Sequence, residues 1–172
     1  MQNFLILAVV TLALGMGFFW YLAPTAQFPI VIDLNPLGTK TTPSMTFRVL
    51  GTGTHAAAVS TRKNYAAYSE TDFAKLWGMA HGSDGTILPK VDFSKEYVIA
   101  VFTGQKSTGG HSIAVASVSD EGNVRTVAVT LTKPGEGCIV TQVLTNPYQI
   151  IAVPFSDSSL AHTDTEISPP CN

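Results

Sequence analysis

The sequence predicts a mainly β (α+β) fold: an antiparallel sheet or sandwich with one amphipathic covering helix, plus an N-terminal transmembrane helix. Three observations predict it. The chain opens on a long uncharged apolar run, carries one stretch of helical period near residue 70, and is otherwise a series of short strand-like segments. Its 172 residues suffice for one ordinary domain with accessories, so a single core is expected.

The first element is "FLILAVVTLALGMGFFWYL", residues 4–22, which holds no charge and no proline. At about 1.5 Å per residue it is long enough for a hydrocarbon core of about 30 Å. Trp20 and Tyr21 close it, as aromatic residues do at a membrane interface. A cleaved signal peptide is the rival reading, but "APTAQ" offers no good small-x-small cleavage site, which favours an uncleaved anchor over residues 1–23. The basic residues hardly orient it, because Lys40 is the first one beyond the run. Residues 24–45 carry Pro24, Pro29, Pro36 and Pro43 and read as a semi-extended stalk.

The expected domain spans residues 46–155. Phe47 and Val49 alternate with Thr46 and Arg48 in a period-two strand that breaks at Gly51-Thr-Gly53, and "NYAAYS" supplies a second short strand. In "SETDFAKLWGMAHG" the period changes: Ser69 is placed to cap a helix, Phe73, Leu76, Trp77 and Ala80 repeat at helical spacing, and Gly82 stops it. "YVIAVFTG" is nearly continuous apolar sequence, as a strand buried on both faces requires. "HSIAVASVS" and "NVRTVAVTLT" follow, hinged at Asp120-Glu-Gly-Asn123, and then "CIVTQVLT" and "YQIIAVP". Tight turns between such strands describe an antiparallel meander. Residues 156–172 read as a polar surface tail unless Cys171 is tied down. Cys138 and Cys171 are compatible with a disulfide in an exported domain, with two unlinked thiols as the alternative.

Ten Lys and Arg stand against twelve Asp and Glu, so the chain lacks the electrostatic footprint of a nucleic-acid binder. The loop "TGQKSTGGHSI" is the richest in candidate chemistry. Gly104 and Gly109 reproduce the glycine spacing of a P-loop, but Gly110 and His111 stand where Lys and Ser or Thr must reach phosphate and magnesium, and the loop joins two strands. Nucleotide binding is not expected. Ser60 to Lys63 matches S-x-x-K, yet in a polar strand-like stretch and not at the start of the buried helix that penicillin-binding chemistry uses. His55, His81, His111 and His162 are scattered, no G-x-S-x-G elbow occurs, and neither a metal nor a cofactor is expected. The glycines permit a tight bend whose peptide groups Thr103, Ser107 and Thr108 can satisfy, and Lys106 and His111 are displayed on it.

"VDFSKEYVIAVFTGQKSTGGHSIAVASV" followed by "CIVTQVLTNPYQIIAVP" closely resembles the PrcB C-terminal domain family, named after a lipoprotein subunit of a bacterial surface protease complex. The upstream "GTGTHAAAVSTRKNYAAYSETDFAKLW" is similar to the segment that precedes that core, so the resemblance spans about residues 47–154. His111 departs from it, since the family often has Tyr there, and the apolar anchor replaces a lipidated cysteine. The resemblance implies an exported β-rich accessory domain without an established active site. "KSTGGHS" also resembles the loop with which small immunoglobulin-like inhibitors enter cysteine proteases, which would make Thr108, Gly109 and Gly110 a backbone wedge.

The expected function is therefore a membrane-tethered, extracytoplasmic, non-enzymatic domain that binds another envelope protein, a protease among the candidates. The expected contacts are Gly104, Gln105, Lys106, Ser107, Thr108, Gly109, Gly110 and His111, together with Thr145, Asn146, Pro147 and Tyr148, the last by its aromatic area. Core packing of Tyr148 beside Trp77 is the competing expectation. The rival functions are a small hydrolase using Ser or His of the loop and a structural envelope spacer without a dedicated partner.

Overall fold

The computed structural model describes residues 44–171. The anchor and nearly all of the stalk lie outside them, and among the described residues no helix is long and apolar enough to cross a membrane.

Among the described residues, eight strands and one helix make three layers. The elements are β1 (Ser44–Met45), β2 (Arg48–Gly53), β3 (Lys63–Ala67), α1 (Glu70–His81), β4 (Glu96–Phe102), β5 (Ser112–Glu121), β6 (Val124–Thr132), β7 (Tyr148–Pro154) and β8 (Ser159–Ile167). They form two four-stranded sheets, ordered β1-β5-β6-β8 and β2-β7-β4-β3. The expected meander is thereby corrected: only β5 and β6 form a tight hairpin, closed at Glu121↔Val124, while β7 inserts between β2 and β4.

The middle sheet explains the apolar run of β4. Val98, Ala100 and Phe102, with Tyr148 and Ile150 of β7, face the helix, where Phe73, Leu76, Trp77 and Ala80 cover them. Their strand neighbours Tyr97, Ile99, Val101, Ile151 and Val153 face the other way, onto Ile113, Val115 and Val118 of β5 and Val127 and Val129 of β6. A strand apolar at both parities is what a sheet covered on both faces needs. The helix begins as its sequence prescribes, with the Ser69 hydroxyl accepting from the Asp72 N–H at 3.2 Å.

Two departures follow from long-range pairing. "CIVTQVLT" has strand-forming residues but forms no strand: it crosses as an extended loop. The closing polar segment, by contrast, is not a loose tail. All nine residues of β8 are exposed, yet it runs parallel to β6 from Val124↔Ser159 to Thr132↔Ile167. Cys171 is tied down by a disulfide to Cys138.

Strand directions fix where the loops lie. Phe102 pairs with Tyr148, Gly53 with Tyr148, Lys63 with Phe102, and Ser112 with Thr132. The connections 54–62, 103–111 and 133–147, and the end of β8, therefore gather at one end of the sandwich. Ser44 enters at the other end, opposite Ser119, seven residues along β5 from Ser112, or about 20 Å at strand rise.

Candidate protein-binding surface

The two segments singled out in the sequence are sewn together at that end. Lys106 N–H donates to Thr145 O at 2.7 Å, Thr145 N–H returns to Lys106 O at 3.0 Å, and Gly109 N–H donates to Thr141 O at 2.9 Å. The Thr145 hydroxyl adds a bond to Thr108 O at 2.8 Å. The start of the loop is anchored from below: Thr103 N–H donates to Pro147 O, and Gln105 N–H to Ser60 O. Gly104 is required there, because φ is +73° and an added Cβ would sit 2.5 Å from the Thr61 carbonyl carbon.

This stitching sorts the predicted contacts. Gln105, Ser107 and Gly110 are exposed, and Lys106, Thr108, His111 and Asn146 are half-buried. Gly104 and Gly109 are buried, so a free wedge of Thr108, Gly109 and Gly110 is not what the loop presents. Thr145 and Pro147 are buried too.

Tyr148 is a core residue, 5% exposed, and the contact expected of it is corrected. Its ring stacks on Phe102 at 5.9 Å between centroids, and its hydroxyl meets His81 Nε2 at 2.9 Å. His81 Nδ1 contacts the Trp77 carbonyl at 3.1 Å, which can only accept, so in the neutral imidazole Nδ1 carries the proton and the Tyr148 hydroxyl donates to Nε2. Burial raises the Tyr148 hydroxyl above its ordinary pKa.

A third segment, "HAAAVS", residues 55–60, joins these two without having offered a candidate contact in the sequence. Asn146 holds it: the side-chain amide donates to Ala56 O at 3.0 Å and to Val59 O, and backbone bonds link Ala56 N–H to Asn146 O and Asn146 N–H to Thr54 O. Together with Gln105, Leu144 and Thr145, these residues line a cleft of about 410 Å³. An alanine run shows no period and no turn chemistry, so its only signal was its place between a Gly-x-Gly break and a strand.

Beside the cleft the 138–145 crossing exposes large apolar side chains. Ile139 is fully exposed, and Val143 and Leu144 are about half exposed. Without a neighbouring strand, residues of strand composition turn apolar groups to solvent.

The histidines separate. His55 pairs with the adjacent Thr54 hydroxyl at 2.8 Å on the surface, and His162 lines a gap between β3 and β8. His111 lines a small cavity with Lys106, Ser112, Thr132, Lys133 and Glu166. Burial, and then the Lys106 ammonium, hold its imidazole below the ordinary histidine pKa. Among the described residues no group of three or more His, Cys, Asp or Glu side chains could hold a metal ion.

Comparison with curated proteins and with solved structures finds no match. Residues 97–154, which run from the start of the central strand β4 through the glycine loop and the crossing segment to the end of β7, match the family model described as PrcB C-terminal.

Proposed function

We propose that this is a non-enzymatic accessory domain, tethered through residues 4–22 outside the cytoplasm, that binds another envelope protein, a protease being the partner the family points to. The observation that carries the reading is the exposed strip of Ile139, Val143 and Leu144, held to the glycine loop at the end of the sandwich remote from Ser44. Large apolar side chains in a contiguous exposed stretch mark interaction surfaces, and a stiff two-sheet frame presents them at little ordering cost.

The test is in-cell crosslinking from residues 139–144, with Ile139→Asp/Leu144→Asp as the comparison. Both side chains are solvent-exposed, so the double variant should melt within about 0.5 kcal/mol per site of the parent. Loss of a reproducible adduct with an unchanged melting curve supports the reading, whereas no adduct from the parent chain identifies a spacer. Turnover of generic ester or peptide substrates that His111→Ala abolishes would replace it with the hydrolase. Protease protection in intact cells decides the side of the membrane independently.

A further inference from the structure

The small cavity at the edge of the same surface is unbalanced in charge. Lys106 and His111 reach it from the glycine loop, Lys133 from the end of β6, and Glu166 from β8, with the hydroxyls of Ser112 and Thr132 between them. Lys133 is ion-paired with Glu166, both about half exposed. The side chains of Lys106 and His111 have no hydrogen-bond or ion-pair partner among the described residues. Two ammonium groups and an imidazole thus surround one carboxylate. The Lys133 hydrogen bond and charge, and then the Lys106 and His111 charges, hold that carboxyl below its usual range.

Such a group has room and charge for a second carboxylate. The cavity is about 70 Å³, close to the liquid share of two waters at about 30 Å³ each, and hydroxyl donors line it. Lys133 also borders a groove with Gly110, Ile139 and Val140, so the cationic cavity continues into the apolar strip. We propose that this cavity takes an aspartate or glutamate side chain of an extended acidic and apolar segment of the partner protein, with Glu166 as a built-in carboxylate that the incoming one displaces or joins. The proposal rests on the protein-binding reading and adds the chemistry of the partner. Charge complementarity at the cavity selects the occupant, while the net charge of −2 on the chain as a whole disfavours a polyanion such as nucleic acid.

The experiment uses the full-length protein in detergent micelles and a fluorescent peptide of alternating Leu and Glu, with its Leu-Gln counterpart and inorganic phosphate as competitors. Lys106→Gln removes a cation whose side chain makes no hydrogen bond or ion pair among the described residues, and should weaken the acidic peptide about two- to fivefold, the range of an exposed ion pair. Glu166→Gln removes the internal competitor and should tighten it by a similar factor. A merely structural Lys133–Glu166 pair predicts the opposite sign, because its loss would loosen β8. Added salt should erase both effects. Equal binding of the Leu-Glu and Leu-Gln peptides, indifferent to salt and to Lys106→Gln, overturns the proposal while leaving an apolar protein-binding surface intact. Saturation by phosphate without any peptide binding overturns it in favour of a small-anion site. Leu144→Asp alone separates the two readings, because Leu144 lines the larger cleft and not the groove of Lys133: loss of its crosslinked adduct bears on the parent reading and leaves the charge around Glu166 unchanged.

Discussion

The Cys138–Cys171 disulfide closes a sequence separation of 33 residues, and its removal tests how β8 is held. In the chain-entropy account a loop of that length removes about 12.5 cal/mol/K from the unfolded ensemble, about 3.7 kcal/mol at 25 °C. β8 has little else to resist opening. It buries none of its nine residues, and besides its ladder to β6 it is fixed by Arg62 to Asp164, at 2.6 and 2.9 Å, and by Lys133 to Glu166. The exposed strip is attached mainly through Gly109 to Thr141 and the Lys106–Thr145 pair, with Cys138 as its covalent end. Cys138→Ser/Cys171→Ser should therefore act in two ways. The urea midpoint should fall by up to about 2 M, for a slope of about 2 kcal/mol/M, and hydrogen exchange should accelerate over residues 138–144 and 159–167 before the central β4–β7 pair is affected. A midpoint within about 0.3 M of the parent, with unchanged exchange across β8, would refute the reasoning and show that the parallel ladder alone holds the strand.

The remaining predictions concern the two ends of the sandwich. Arg125 is 2% exposed and donates to both Asp120 oxygens, at 2.7 and 2.8 Å, to the Tyr97 hydroxyl at 3.3 Å and to Pro154 O, and this hydrogen bonding depresses the Asp120 carboxyl. A folded pKa below the unfolded value gives stability that is complete above about pH 4 and is lost as pH falls through the folded value. Asp120→Asn should flatten the urea-midpoint profile below about pH 4. At pH 7 it should cost about 1–2 kcal/mol, below the ~3–5 of a fully buried pair because Asp120 is partly solvated; parallel pH profiles for parent and variant would contradict this. At the loop end, Gly104→Ala adds a clash with the Thr61 backbone to the left-handed cost of about 1–2 kcal/mol, whereas Gly137→Ala, at φ +77° with open space around it, incurs only that cost. Thermal melts should rank Gly104→Ala clearly below Gly137→Ala, and equal melting points would remove the close approach from the account.

Local chemistry was legible where local chemistry decides. Ser69 and Gly82 bound the helix, and the turn after Asp120 closes the β5–β6 hairpin, because caps and tight turns depend on neighbours in sequence. Parity at both faces of β4 announced a covered strand, although it could not say which strands would flank it. "CIVTQVLT" fails for the converse reason. Strand composition expresses a fit to a pleated neighbour, and β7 rather than residues 138–145 takes the place beside β4. β8 was illegible because it has no apolar alternation; side-chain ion pairs and a disulfide hold it. Tyr148 misled through its neighbours. A turn-rich "TNP" reads as surface, but Pro147 and Tyr148 turn inward, where Gly53 lets the Tyr148 ring lie against β2 and His81 receives its hydroxyl.

The same long-range pairing makes the candidate surface. Neither the glycine loop nor the crossing segment is a site alone: the first exposes small polar groups and the second a few apolar ones, while their shared hydrogen bonds set both on one rigid end. Rigidity matters energetically, because an unpaired loop would lose roughly 1–2 kcal/mol per residue of backbone freedom on binding, and the bonds of Lys106, Gly109 and Thr145 have already imposed that cost in the free protein. Variants that cut these bonds without touching the exposed side chains should therefore weaken binding through ordering. Thr145→Val, which removes the donor to Thr108 O but keeps shape and burial, is the cleanest of them. It should reduce capture of the partner while the exposed strip itself stays unchanged, and full capture by this variant would mean that the surface orders only on contact.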